Sequence, residues 1–92
     1  MPASTSLDRV SKVRGMVHLA CPENSRMVAA SIGLHLEIIV TETGCRDEVA
    51  GATEAVRDAS LDFLISLHRA GDVTGARRAA LTSLDQLEAR LG

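Results

Sequence analysis

The side chains best suited to chemistry in this chain are two thiols and three imidazoles. His18 and Cys21 stand at i and i+3, which puts both on one face of a helix. With Cys45 and His68 they supply the residue types of a Cys2His2 zinc site, because thiolates and imidazoles suit that metal. Zinc sites usually carry two tight pairs, whereas Cys45 and His68 are 23 positions apart. The alternative reading is two half-buried cysteines and two surface histidines. Cys21 beside His18 also has the types of a nucleophile and its base, but nothing in the sequence locates an orienting group or oxyanion donors. Asp58 and Asp62 fall on the wet side of a helix and read as solvated charges. Gly71-Asp72-Val73-Thr74-Gly75 lacks the lysine that meets phosphates in a glycine-rich loop. The expectation is a chain that is not an enzyme, with no catalytic residue, cofactor or metal.

Two groups of cations remain: Arg77 and Arg78 with Arg69, and Arg9, Lys12 and Arg14. Either set has the types that touch phosphates. A reader of DNA normally carries a basic excess, and here the net charge is −2. Single-strand binding uses stacking aromatics, and Phe63 is the only aromatic residue. Charge and composition therefore argue against a nucleic-acid partner. A dimeric DNA-associated regulator presenting Arg77 and Arg78 stays as the first alternative, and a small thiol or zinc protein using His18, Cys21, Cys45 and His68 as the second. His35, between Leu34 and Leu36, reads as a satisfied core or interface histidine whose charge responds to pH near neutrality when half-buried.

The elements that must position these groups follow from periodicity. Val49, Ala52, Val56, Ala59, Phe63, Leu67 and Ala70 recur at steps of three and four, which predicts a helix from Arg46 to Ala70. Charges from Arg46 to Arg69 fill its other side, and Ser60 inside it is a position for a bend. A first helix begins at Ser6 as N-cap, with Asp8 in its first turn and Val10, Val13, Val17 and Ala20 on its inner face. Pro22 disfavours helical geometry at Cys21 and ends it. Gly71 stops the long helix, and Asp72 or Thr74 caps a last one with Val73, Ala76, Ala80, Leu84, Leu87 and Leu91 inward. Arg77, Arg78, Glu88 and Arg90 take its wet side. Residues 1–5 are expected to be disordered, and 6–92 to form a single helical domain.

Residues 27–42 carry two patterns at once. Ile32, Leu34, Leu36, Ile38 and Val40 alternate as in a strand. Val28, Ile32, Leu36 and Ile39 also lie on one helical face, with Met27, Leu34 and Ile38 nearby. A lone strand needs a ladder partner from a second copy, so the helix is the leading reading and a strand at 32–41 the dimeric alternative. Asn24 caps the segment and Gly44 closes it.

Composition bounds the rest. Ninety-two residues make one domain, 46% hydrophobic, built from Leu, Val, Ile and Ala. That suits an all-α bundle of three or four helices. High apolar content in a short chain leaves apolar surface over for a self-partner, such as a homodimer, or for another protein. Two cysteines form no disulfide framework, the N-terminus does not read as a signal peptide, and no run approaches the ~20 apolar residues of a membrane span. The expected setting is cytoplasmic, with no membrane partner.

Two short strings resemble known families. His68-Arg69-Ala70-Gly71-Asp72 with Ala76-Arg77-Arg78-Ala79 looks like the helix junction of bacterial helical regulators, including FCD-type ligand domains, whose metal-binding histidines have no matches here. Ala30-Ser31-Ile32 followed by Leu34-His35 is similar to a string in the TraM-type quorum-sensing antiactivators. Those are small helical proteins that bind and silence a transcriptional activator. The resemblance implies an antiactivator whose partner surface lies on residues 27–40; the excess of apolar surface there makes Met27, Val28, Ile32, Leu36 and Ile39 the expected contacts with a protein partner. Four helical segments are more than the long hairpin of that family.

Overall fold

The computed structural model describes residues 2–69 and 71–91. Four helices follow one another: α1 (Pro2–Leu19), α2 (Ser25–Glu42), α3 (Asp47–Ser66) and α4 (Val73–Leu91). Among the described residues there is no strand, so the fold is the all-α bundle that the spacing predicts. Each helix lies against the next, and α1 closes the ring against α4. The connections are short, which makes sequential helices antiparallel neighbours. The bundle measures 40 × 20 × 16 Å.

One core runs along the axis. Val10, Val13 and Val17 enter from α1, Val28, Ile32, Leu36 and Ile39 from α2, Val49, Val56 and Phe63 from α3, and Ala80, Leu84 and Leu87 from α4. Within each helix successive members stand three, four or seven residues apart, which puts them on the same face. The strand alternative at 32–41 is thereby settled as helix. Its alternation arises because α2 is apolar on the outside as well as the inside.

Several boundaries and environments differ from the sequence expectation. Helix α1 starts at Pro2 and not at Ser6, so Pro2 to Thr5 are helical; proline is well suited to a first turn, where its missing N–H costs nothing. Met1 lies outside the described residues. Ser6 is no cap: it is fully buried inside α1, and its Oγ has no hydrogen-bond partner. Helix α3 ends at Ser66, one turn earlier than the stripe suggests. There Ser66 Oγ donates to the Phe63 carbonyl at 2.6 Å, and the amides of Leu67, His68 and Arg69 reach carbonyls three residues back. These bonds tighten the end of the helix into turns. Ala70, the last member of the expected stripe, lies outside the described residues. Ser60 marks no break, since α3 runs through it with its side chain buried.

The caps divide in an unexpected way. Asp72 behaves as expected, its Oδ1 accepting from the Gly75 amide at 2.9 Å at the start of α4. Asn24 precedes α2 but gives it no side-chain cap. Its Oδ1 accepts from the Cys21 amide at 2.8 Å and its Nδ2 donates to the Leu19 carbonyl at 3.2 Å. Asn24 therefore satisfies the end of α1. After α2, Gly44 (φ 73°) and Cys45 (φ 58°) both take the left-handed conformation. Gly44 fits the terminating role at no steric cost, whereas Cys45 carries a Cβ there.

Candidate functional site

The thiols and imidazoles do not converge. Cys21 and His68 sit at the end of the bundle where α2 begins, and Cys45 follows the other end of α2, an 18-residue helix of about 27 Å. His18 is exposed on α1. Among the described residues no three His, Cys, Asp or Glu side chains are grouped as metal ligands. The Glu23 carboxyl, near Cys21, is held below the usual carboxylate range by its own backbone amide first, then by a hydrogen bond with Cys21 and by the charge of His68.

His68 has a different partner from the one its residue type suggests. Its Nε2 lies 2.8 Å from Ser25 Oγ, and the same hydroxyl donates to the Pro22 carbonyl at 3.2 Å. A hydroxyl beside an imidazole has the types of a nucleophile and its base. Among the described residues no group hydrogen-bonds the other ring nitrogen to orient it, and the hydroxyl proton is directed at Pro22. The pair clips the start of α2 to the end of α3.

The cations are likewise drawn inward. Arg9 Nε pairs with Glu42 at 3.1 Å and its Nη1 lies 3.1 Å from His35 Nδ1, joining α1 to α2. Arg14 pairs with Asp85 at 2.6 Å and Glu88 at 3.2 Å, joining α1 to α4. Arg77 is not on the wet side of α4: its guanidinium lies over the Phe63 ring and its Nε is buried. Lys12 pairs with Asp8 at 3.3 Å, so the two cation sets that matched phosphate-binding types have intramolecular partners at four of their six positions, while Arg69 and Arg78 are exposed.

Of the five side chains expected to contact a partner, Val28, Ile32, Leu36 and Ile39 belong to the chain's own core and only Met27 is exposed. The burial of these four has a simple cause. These four make the more regular stripe on α2, and the bundle uses the more regular stripe for itself. What remains outside is a second line, Met27, Ala30, Leu34, Ile38 and Thr41, four turns long and without a charge. Met27 is 67% exposed and Leu34 57%. An uncharged apolar line on a helix normally finds cover in an interior, but this second one faces out.

Next to this line is a groove between α2 and α3, whose mutual contact is the sparsest of the four neighbouring pairs. Ala29, Ile32 and Gly33 line its middle on α2 and Arg57, Ser60, Leu61 and Leu64 on α3. No atom lies within 4 Å of where a Gly33 Cβ would stand, so the floor is open there. Beyond it, on α3, Leu61 is 44% exposed and Ile65 47%. Near Ser25 and His68 the groove widens to a cleft of about 500 Å³. Two apolar ridges with a channel between them make a surface for a packed helix. The sequence contained this signal in the i, i+7, i+11 spacing of Met27, Leu34 and Ile38; Leu61 and Ile65 had none, being scattered leucine and isoleucine on a charged face. No helix among the described residues is long and apolar enough to cross a membrane. No family model, curated protein or solved structure matches the chain.

Proposed function

We propose that this chain is a non-enzymatic protein-binding module whose contact surface is the outer line of α2 together with the α2–α3 groove. The observation that carries the reading is that α2 bears a second, uncharged apolar line, Met27 to Thr41, on the side that the bundle leaves exposed. Exposed apolar ridges flanking a channel favour association with another protein, which gains the burial that this small bundle leaves unused. The mechanism is helix-in-groove packing, with Met27, Leu34, Leu61 and Ile65 supplying contact area. The resemblance of residues 30–35 to TraM-type antiactivators makes a transcriptional activator the first partner to examine, with silencing by occupancy as the regulatory outcome.

Leu36→Asp or Ile39→Asp is no test, because either places a carboxylate in the core and unfolds the bundle. The test uses Leu34→Glu and Ile65→Glu, both on exposed positions. Each is expected to keep the unfolding midpoint within about 0.5 kcal/mol of wild type and to lose proteins that a tagged wild-type chain retains from native extract. Retention of the same proteins by both folded variants would overturn the assignment of this face.

A further inference from the structure

We infer that the occupant of the outer face of α2 is a second copy of this chain, its α2 packed antiparallel on the first across a two-fold axis. This rests on the reading of that face as the contact surface and names its partner.

The argument is one of charge and symmetry. Arg26 and Glu37 are eleven residues apart, three helical turns, so they project from nearly the same side of α2. Both line the α2–α3 groove, Arg26 near its Ser25 end and Glu37 near its Thr41 end. Among the described residues neither forms an ion pair within the chain, although Arg57 of α3 lines the groove together with Glu37. One flank of an uncharged apolar line thus carries a cation at one end and an anion at the other. Antiparallel pairing about a two-fold sets this flank against the same flank of the second copy and reverses its order. Arg26 then meets Glu37 of the second copy, and Glu37 meets Arg26 of the second copy, in an isologous contact that closes on itself. A parallel pairing sets this flank against the opposite one, where Ser31 and Ile38 carry no charge and Glu42 is already paired with Arg9. The crossing point, midway between Arg26 and Glu37, falls beside Ala30 and Ser31, whose small side chains admit a close helix. Met27 and Leu34 on either side supply the apolar contact. Self-pairing also covers the face in the absence of another partner, so a heterologous protein must compete with the second copy.

The mass of the full chain in solution, measured by light scattering at micromolar concentration, tests this. The wild type is expected at the mass of two chains and Leu34→Glu at the mass of one. Arg26→Glu and Glu37→Arg are each expected to weaken self-association about tenfold or more, because each creates two like-charge contacts. The double variant Arg26→Glu with Glu37→Arg is expected to regain it, since the pairs re-form with their signs exchanged. Circular dichroism confirms that each variant is folded. A one-chain mass for the wild type overturns the inference, as does a two-chain mass untouched by either single reversal. A one-chain wild type whose heterologous capture is lost on Leu34→Glu overturns self-pairing and leaves the contact face standing. Capture indifferent to Leu34→Glu overturns that face reading separately.

Discussion

The guanidinium carbon of Arg77 lies 5.1 Å from the centroid of the Phe63 ring, so the chain's one aromatic is covered by a cation from the neighbouring helix. The contact joins α3 to α4, the pair with the most extensive mutual packing. Two effects of opposite sign meet in it. A cation over an aromatic face contributes about 0.5–2 kcal/mol. A buried donor with no acceptor, as Arg77 Nε is, costs about 1–3 kcal/mol. The two nearly cancel, and the remaining contribution is the apolar stem lying on the ring. Arg77→Met is therefore expected to leave stability within about 1 kcal/mol of wild type. Arg77→Ala, which uncovers the ring, is expected to fall below Arg77→Met by about 1–2 kcal/mol. Urea unfolding of both variants checks this; equal losses for the two would show that charge, not coverage, is what Phe63 needs.

His35 gives the bundle a pH dependence. Arg9 can only donate, so His35 Nδ1 accepts, and the ring is neutral with its proton on Nε2. Desolvation, then the charges of Arg9 and Lys12, hold its pKa below the ordinary 6.5. The folded state thus binds this proton less readily than the unfolded chain. Stability from this group is fully present above about pH 6.5 and declines as pH falls from there toward the lower folded-state value. The urea midpoint of the wild type is expected to rise between about pH 5 and pH 7.5, and His35→Gln to flatten that rise. An unchanged slope in the variant would assign the dependence to other groups.

Cys45 holds φ 58° with a side chain, directly after Gly44 at φ 73°. A left-handed residue with a Cβ costs roughly 1–2 kcal/mol, a penalty glycine does not pay, although glycine adds freedom to the unfolded chain. Cys45→Gly is expected to raise stability by about 0.5–1 kcal/mol. The Cys45 thiol is free and exposed, so its removal takes nothing from the core. A lower melting temperature for this variant would show that the turn depends on the thiol.

The helices were legible in the sequence because what forms them is local. Steps of three and four between Val10, Val13 and Val17 and between Ala80, Leu84 and Leu87, and steps of seven between Val49, Val56 and Phe63, state both the helix and its inner face. Pro22, Gly44 and Gly71 punctuate the chain at its turns through their own backbone chemistry. Asp72 announced the last helix by a bond only three residues long.

What the tertiary structure alone decided involves residues distant in sequence. Helix α2 offers two apolar sides, and its sequence does not say which one the bundle takes; α1, α3 and α4 together select Val28, Ile32, Leu36 and Ile39 and leave Met27 and Leu34 outside. Arg9, Arg14 and Arg77 look like wet-side cations until Glu42, Asp85, Glu88 and Phe63 are brought to them from 33 to 74 positions away or across a helix pair. Ser25 meets His68 only because α2 and α3 fold back on one another. Periodicity fixes which way a side chain points from its own helix, and packing fixes what it then meets.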